Sequence, residues 1–190
     1  GDIMDYLYPD GMNATIPIVS VTGTNGKTTV TRIIASTLSL AGKTVGMTDT
    51  SGIYIDGRCV LKGDNTGALS AAMVLRDRRI DAAVLETARG GIIKRGLGYD
   101  LADVGIITNI SDDHLGLDGI DTLEELAKVK SLVAEAVKPD GFAVLNADDA
   151  MTPSNMKRLK SKLMIFSTDF NNDLLLAQLK NGGCAVYIRD

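Results

Sequence analysis

The sequence predicts an α/β protein with a mostly parallel sheet and helices on both faces. Apolar, β-branched runs such as residues 16–21 are typical of strands buried on both sides, and helical patterns separate several of these runs. A glycine-rich turn follows the first run and precedes the first helical pattern. Asp56-Gly57 lies between two further apolar runs, which predicts a small β-hairpin insertion.

Length and composition predict one domain. The chain has 190 residues, of which 45% are hydrophobic, and this is enough to bury one sizeable core. We assign residues 16–190 to this domain and residues 1–15 to a lead-in or linker. The net charge of -4, with the basic residues dispersed, argues against a nucleic-acid or membrane-surface role. Cys59 and Cys184 lack metal-type spacing and no signal peptide or membrane span is visible, so we expect a cytoplasmic protein.

Periodicity places the individual elements. Strands are predicted at 16–21, 43–48, 53–61 as the hairpin, 82–86, 104–109, 142–146 and 163–167. Helices are predicted from Val30 to a capping Gly42, over 70–76, and over 122–137. Because ligands of such sheets collect beyond the carboxyl ends of parallel strands, we expect the chemistry where these strands end.

The turn after the first strand has the features of a phosphate loop, so the predicted fold is of the P-loop nucleotide-binding type. Its candidate nucleotide-binding residues are Gly23, Thr24, Asn25, Gly26, Lys27, Thr28 and Thr29. A triphosphate at this helix start would meet unpaired N–H groups, the positive end of the helix dipole and the Lys27 ammonium. Thr28 would offer its hydroxyl to Mg²⁺. The loop is a variant, because the standard first glycine position is occupied by Val21 and the first glycine is Gly23.

Polar residues end two of the predicted strands. Glu86 ends the run that starts at 82, Asn109 ends the run that starts at 104, and the only histidine, His114, follows shortly after. An isolated polar residue at such a position often marks only where a strand reaches the surface. A carboxylate and a histidine beyond two strand ends are nevertheless suitable ligands for Mg²⁺, which prefers oxygen and keeps several waters.

The helical pattern over 122–137 carries a lysine on its apolar side. Lys130 lies between Leu126 and Val133 on the apolar stripe, whereas Lys128 points away from it. The Lys130 side chain could extend to solvent or pair with a carboxylate. A role at a buried site is the other interpretation.

The phosphate-loop phrase Gly-Thr-Asn-Gly-Lys-Thr-Thr resembles that of the Mur ligase superfamily, which includes folylpolyglutamate synthase. The resemblance implies a central, ATP-binding ligase domain that uses ATP and Mg²⁺. Asn109, Asp113 and His114 match in register a family motif whose histidine binds a second magnesium ion, and Glu86 matches the acidic residue that bridges the ions. The implied catalytic residues are Lys27, Glu86, His114 and Lys130, and the implied metal ligands are Thr28, Glu86, His114 and Lys130, if carbamylated.

The same resemblance gives the helix lysine a role, because Mur ligases carbamylate a lysine there with CO₂. We assign this role to Lys130 and keep Lys128 as the alternative. An uncarbamylated ammonium ~4 Å from a cation would cost on the order of 4 kcal/mol per unit charge at an effective dielectric constant near 20. Carbamylation replaces that repulsion with attraction.

Longer phrases resemble the C-terminal ligase region of the cyanophycin synthetase family. They are Gly-Asp-Asn-Thr-Gly at 63–67, Leu-Glu-Thr-Ala-Arg-Gly-Gly-Ile at 85–92, and Val-Lys-Pro-Asp-Gly at 137–141. This resemblance implies that ATP activates an aspartate side chain of an Asp–Arg polymer, cyanophycin, for attack by L-arginine, releasing ADP and phosphate. The candidates for holding the polymer are Asp64, Asn65, Thr66 and Arg89, in loops flanked by glycine. Asn109 and Asn146 are candidates for the nucleotide, although Asn146, Asp148 and Asp149 could equally cap a helix.

Two rival functions stay open at this point. One is a Mur or folylpolyglutamate-type ligase with another substrate, and the other is a non-catalytic P-loop nucleotide-binding module. Relative to the family, a C-terminal Mur domain and a preceding ATP-grasp half are missing. We therefore expect the isolated chain not to turn over alone, and we expect the intact protein to be a homo-oligomer.

Overall fold

The structure is a computed structural model that describes residues 15–112, 116 and 119–189. Most of the predicted lead-in, together with Asp113 and His114, lies outside the described residues. None of the helices among these residues is both long and apolar enough to cross a membrane.

The described residues form nine strands and six helices. The strands are β1 Ile18–Thr22, β2 Val45–Thr48, β3 Gly52–Ile55, β4 Arg58–Lys62, β5 Ala82–Glu86, β6 Ala102–Ile107, β7 Val137–Asn146, β8 Lys162–Ser167 and β9 Cys184–Tyr187. The helices are α1 Lys27–Leu40, α2 Ala68–Leu75, α3 Arg89–Arg95, α4 Leu123–Glu135, α5 Thr152–Met156 and α6 Asp173–Lys180.

All nine strands belong to one sheet, in the order β4-β3-β2-β5-β1-β6-β7-β8-β9. Within the described sheet, every neighbouring pair from β2 through β5, β1, β6, β7 and β8 to β9 is parallel, whereas the β2–β3 and β3–β4 pairs are antiparallel. Asp56 and Gly57 join β3 to β4 with φ angles of 51° and 72°. Two consecutive positive φ values define the tight hairpin turn that the Asp-Gly pair predicts. The mostly parallel sheet with a hairpin insertion is therefore confirmed.

Side chains alternate between the two faces of β5 and meet a different helix on each. Ala83 and Leu85 belong to a buried cluster with Val74 of α2, whereas Val84 belongs to a cluster with Ala35 of α1. Strands that are buried on both faces read as continuous apolar runs, which is why the sequence of β5 gives no alternation. Helices on both faces are thus confirmed. Glu86 has the same parity as Val84 and so faces α1.

The three central strands bring the predicted site to one edge. In the register, Val21 of β1 lies opposite Glu86 on one side and opposite Ile106 of β6 on the other. Since these strands are parallel, their carboxyl ends reach the same edge of the sheet. The phosphate loop, Glu86 and Asn109 therefore all lie at that edge of the sheet.

Two predicted elements need correction. The helix over 122–137 ends at Glu135, and Val137 instead begins β7, where it pairs with Ala102. Arg89, which we predicted in a loop, is the first residue of α3. Glycines disfavour helices, so Gly90 and Gly91 made this segment read as a loop.

Candidate active site

The phosphate loop depends on two glycines for its backbone path. Gly23 has a φ of 148°, and a Cβ placed on it would collide with the Thr108 hydroxyl. Gly26 precedes α1 with a φ of 79°, in the left-handed region. A residue without a side chain leaves the first N–H groups of α1 open, and such groups bind phosphate. The close approach of Thr108 therefore requires a glycine at position 23.

Lys27 lies within this loop and bends back over it. Its ammonium donates a 2.9 Å hydrogen bond to the Thr24 carbonyl oxygen. The side chain is only partly buried, so the ammonium borders the cavity in front of the loop. A flexible cation in this place can move from a carbonyl to a phosphate without disturbing the core.

Glu86 is the buried carboxylate of the site. It is 2% exposed, and its Oε2 accepts a 2.8 Å hydrogen bond from the Thr28 hydroxyl. Its Oε1 is buried and has no hydrogen-bond partner in the described residues. Desolvation raises the pKa of Glu86, against the lowering effects of Thr28 and Lys27. A cation at Oε1 would satisfy this oxygen and favour the charged form.

Thr24 joins three parts of the site through one hydroxyl. Its Oγ1 accepts hydrogen bonds from the Ser111 N–H at 3.0 Å and from the Lys130 ammonium at 3.0 Å. Lys130 is 3% exposed, and Lys128 is exposed. The helical phase thus correctly predicted which lysine is buried, while the carbamylation of Lys130 stays a prediction.

The Asn109 side chain holds the phosphate loop to the end of β6. It accepts a hydrogen bond from the Asn25 N–H at 2.9 Å and donates to the Asn25 carbonyl at 3.1 Å. The Thr108 hydroxyl donates to the same carbonyl at 2.7 Å. Sequence reasoning missed Thr108, although its place at a strand end could have indicated it.

The oxygen atoms of Thr28 and Glu86 suit a magnesium ion. A hydroxyl beside a carboxylate with an unused buried oxygen matches the preference of Mg²⁺ for a few protein oxygens and several waters. The part of the chain that the structure describes holds no cluster of three or more His, Cys, Asp or Glu residues. His114, the remaining predicted ligand, lies outside the described residues. Thr50 is a residue that sequence reasoning missed, and its hydroxyl lies 3.4 Å from that of Thr28.

Three of the four predicted substrate residues, Asp64, Thr66 and Arg89, line the same cavity as the phosphate loop. This cavity has a volume of about 210 Å³, and Lys27, Asp64, Thr66, Arg89 and Lys130 are among its lining residues. The Thr66 hydroxyl donates to Asp64 at 2.7 Å. Asn65 is buried, donates to the Gly63 carbonyl at 2.7 Å and accepts from Ser70 at 3.0 Å. Asn65 therefore shapes its loop, whereas Asp64, Thr66 and Arg89 border the open space.

Asn146 and its neighbours serve the local backbone. Asn146 donates to the Thr108 carbonyl at 3.1 Å and accepts from the Asp148 N–H at 2.9 Å. Asp148 accepts from Thr168 and Asn172, and Asp149 accepts from the N–H groups of Ile110 and Met151. The two aspartates therefore stabilise turns, and a nucleotide contact of Asn146 stays a prediction.

A larger cavity, of about 480 Å³, lies beside α1 and is lined by residues such as Arg32, Met47 and Tyr54. It contains none of the predicted site residues. We place the active site at the smaller cavity because the phosphate loop and the buried Lys130 line it, and because the buried Glu86 is hydrogen-bonded to Thr28 of that loop.

This fold and site define the chain as a ligase middle domain. The model of the Mur ligase middle domain family matches residues 21–186, and the chain belongs to that family. Among curated proteins, it is 52% identical over 186 residues to the cyanophycin synthetase of Synechocystis sp., covering 97% of this chain and 21% of that protein. It is also 32% identical over 170 residues to the UDP-N-acetylmuramoyl-L-alanyl-D-glutamate–2,6-diaminopimelate ligase of Chlamydia pneumoniae, covering 86% of this chain and 34% of that ligase.

Solved structures agree with this family. A structure of a UDP-N-acetylmuramoyl-L-alanyl-D-glutamate–2,6-diaminopimelate ligase aligns with a TM-score of 0.70 and 26% identity, over 90% of this chain and 36% of that one. A bifunctional folylpolyglutamate synthase/dihydrofolate synthase with Mn, AMPPNP and L-glutamate bound aligns with a TM-score of 0.61 and 21% identity, over 90% of this chain and 48% of that one, and shows the fold alone. The chain spans about a fifth of the length of its cyanophycin synthetase relatives.

Proposed function

We propose that this chain is the ATP-binding domain of an amide ligase that adds L-arginine to the aspartate side chains of cyanophycin. The observation that carries the proposal is the arrangement around the phosphate loop, where Lys27 and the buried Lys130 line one cavity and the buried Glu86 accepts a hydrogen bond from Thr28. A nucleotide-binding module without ligase chemistry would have no need for a second lysine, Lys130, buried beside the phosphate loop.

The first step is phosphoryl transfer. The loop N–H groups and Lys27 bind the triphosphate of ATP, and an acceptor carboxylate oxygen attacks the γ-phosphorus as the bond to ADP breaks. Thr28 and Glu86 would hold Mg²⁺, with His114 and carbamylated Lys130 at a second ion. The bound ions would neutralise negative charge on the transferring phosphoryl group. Lys27 stabilises the same charge directly from the protein side.

The second step forms the amide bond. The uncharged amine of the incoming amino acid attacks the acyl carbon, phosphate leaves with the electron pair of the broken C–O bond, and the nitrogen releases one proton to solvent. Asp64, Thr66 and Arg89 border the space where the acceptor must approach the phosphate loop. The Arg89 guanidinium would bind an acceptor carboxylate that does not react.

The choice of arginine and cyanophycin is supported by similarity. The identity of 52% to a cyanophycin synthetase extends over 97% of the chain. The identity to the diaminopimelate ligase is lower, at 32%.

A substrate screen on the full-length protein tests the proposal. ATP-dependent phosphate release is measured with an Asp–Arg acceptor and each of the common amino acids in turn. We expect release to require both the acceptor and arginine. Release with another amino acid would indicate a ligase of different specificity. Nucleotide binding without release under any condition would favour the binding module.

A further inference from the structure

An ion pair lies between α1 and the turn that follows β2. Nε of Arg32 donates a 2.7 Å hydrogen bond to Oδ2 of Asp49. The Asp49 side chain is completely buried, whereas half of the Arg32 side chain is exposed and borders the larger cavity beside α1. Because a buried carboxylate without a partner is costly, this contact holds the turn against the helix.

The Asp49 carboxylate also stabilises its own turn. Its Oδ1 accepts hydrogen bonds from the Ser51 N–H at 2.7 Å and the Gly52 N–H at 3.0 Å, the usual way in which an aspartate side chain closes a tight turn. Nη2 of Arg32 donates to the Ser51 hydroxyl at 3.1 Å. Arg32 therefore contacts the turn at two places, with Thr50 between them.

The same turn holds the loop that follows β4. The Asn65 N–H donates to the Asp49 carbonyl at 3.1 Å, and the Gly63 N–H donates to the Ser51 carbonyl at 3.0 Å. Asp64, between these two amides, lines the cavity at the phosphate loop. A continuous set of hydrogen bonds therefore connects α1, through the turn, to one wall of that cavity.

The other end of this set lies beside the phosphate loop. Arg32 follows Thr28 by four residues, so the two side chains project from one face of α1, one turn apart. The Thr28 hydroxyl lies 3.4 Å from the hydroxyl of Thr50 and donates to Glu86. A displacement of the turn would therefore move the loop after β4 relative to Thr28 and Glu86.

We propose that Arg32 and Asp49 are positioning residues of the candidate active site, which hold the loop after β4 at a fixed distance from the phosphate loop. This inference rests on the proposed function, because that distance matters where an acceptor held by the loop must reach the γ-phosphate of ATP. Neither residue is among the described residues that line the cavity at the phosphate loop. Both therefore act through the turn and the loop, without touching a substrate.

Two variants test this role in the full-length protein. Arg32→Gln removes the guanidinium group. Asp49→Asn keeps an Oδ1 that can accept both N–H bonds and leaves only a half-exposed cation unpaired, so it decides the question if Arg32→Gln does not fold. The matched control is Arg158→Gln, because Nε of Arg158 forms an ion pair with Glu135 at 2.9 Å and the Arg158 side chain is 38% exposed.

Hydrogen exchange measures the attachment of the loop without any substrate. The Gly63 and Asn65 amides should exchange at least about tenfold faster in Arg32→Gln and Asp49→Asn than in wild type, because the turn that accepts their hydrogen bonds is released from α1. In the control, both amides should exchange at the wild-type rate.

Phosphate release measures the consequence for the reaction. In both variants, kcat/KM for the acceptor should fall about 10- to 100-fold with a higher KM, as is typical when a residue behind a site is lost. The dissociation constant for ATP should stay within about twofold of wild type. An ion pair that only stabilised the fold would reduce the fraction of active protein and leave the KM for the acceptor unchanged.

Three results would overturn the inference. A folded variant could exchange the Gly63 and Asn65 amides at the wild-type rate, its KM for the acceptor could be unchanged, or the control could show equal losses. Failure of the proposed function looks different, because wild type would then release no phosphate with any acceptor. In that case, hydrogen exchange would still confirm or reject the attachment of the loop to α1.

Discussion

The Thr28 hydroxyl donates a 2.8 Å hydrogen bond to Oε2 of Glu86, which lies 58 residues further along the chain. This bond joins the first turn of α1 to the end of β5 and leaves Oε1 of Glu86 buried without a partner in the described residues. A buried carboxylate oxygen without a partner costs free energy unless a cation or a proton satisfies it. We therefore expect this pair to destabilise the metal-free protein and to favour the binding of a cation.

Glu86→Gln should stabilise the metal-free protein at neutral pH and weaken its binding of magnesium nucleotide at least about tenfold. Burial raises the pKa of Glu86, so the folded state keeps the proton to a higher pH than the unfolded state does. The free energy of unfolding therefore falls as pH rises from the ordinary glutamate pKa through the raised value. A glutamine amide does not titrate, so the variant should lack this fall. Thermal unfolding of both proteins across this pH window, without metal, measures how far the free energy of unfolding falls.

The control for this experiment is Glu124→Gln, the same change at an exposed position of α4. It should alter the free energy of unfolding by no more than about 0.5 kcal/mol. A Glu86→Gln protein that is less stable than wild type at neutral pH, or that binds magnesium nucleotide normally, would contradict the role of Glu86.

Lys27→Ala should abolish ATP-dependent phosphate release in the full-length protein while the fold persists. The ammonium makes its hydrogen bond to a loop carbonyl and contributes little to the core, so the free energy of unfolding should change by about 0.5 kcal/mol or less. Phosphate release and thermal unfolding are measured together, with Lys43→Ala at an exposed position as the control. Turnover near the wild-type value would remove Lys27 from the mechanism.

Arg89→Ala should weaken acceptor use more than ATP use. Loss of one charge-assisted contact costs about 1.5–3 kcal/mol of binding free energy. We expect this loss to raise the KM for the acceptor. Steady-state kinetics with each substrate varied in turn separates the two. If the KM for ATP rises and that for the acceptor does not, Arg89 belongs to the nucleotide site.

Gly91→Ala should destabilise the protein by about 1–3 kcal/mol, because the new methyl group would collide with backbone atoms. Its Cβ would lie 2.9 Å from both the Gly67 Cα and the Thr66 carbonyl oxygen. The matched control comes from the same contact, since a Cβ on Gly67 would lie 3.8 Å from the Gly91 Cα, an ordinary distance. Chemical denaturation of both variants measures the difference. Equal stability of the two variants would show that the backbone at the contact between Gly67 and Gly91 can move apart to accept a methyl group.

The elements that sequence predicted best are those whose signal is local. The phosphate loop, the Asp56-Gly57 turn and the uniformly apolar β5 each carry their structure within a few residues. The same holds for the start of α4, where Thr122 and Glu125 form a reciprocal capping box. Burial of Lys130 followed from helical phase, which is also local.

The elements that were missed depend on contacts between distant residues. α3 begins at Arg89 with two glycines in its first turn, which no local propensity favours, and the close approach of Gly67 requires one of them, Gly91. β9 is a half-exposed edge strand of only four residues, and its short apolar run was not assigned to a strand from the sequence. The end of α4 was placed too late because Val137 continues the helical stripe, although it pairs with Ala102.

Lys130→Ala should reduce turnover severely, and Lys128→Ala should have almost no effect. The two lysines belong to the same helix, but Lys130 is 3% exposed with its ammonium 3.0 Å from the Thr24 hydroxyl, whereas Lys128 is exposed. The two variants therefore remove the same residue type and the same charge from the same helix. They differ in whether the lysine is buried beside the phosphate loop. Phosphate release in the full-length protein measures both variants.

A carbamate at Lys130 gives this prediction a second readout. Small carboxylates such as formate or acetate should partly restore Lys130→Ala, since they supply the anion that the carbamate would provide beside a cation. Removal of dissolved CO₂ should slow the wild-type protein and leave the rescued variant unchanged. A lysine that only supports the helix would show neither response. If Lys128→Ala were the inactive variant and Lys130→Ala the active one, Lys128 would be the carbamylated lysine. The assignment of this role to the buried Lys130 would then be wrong.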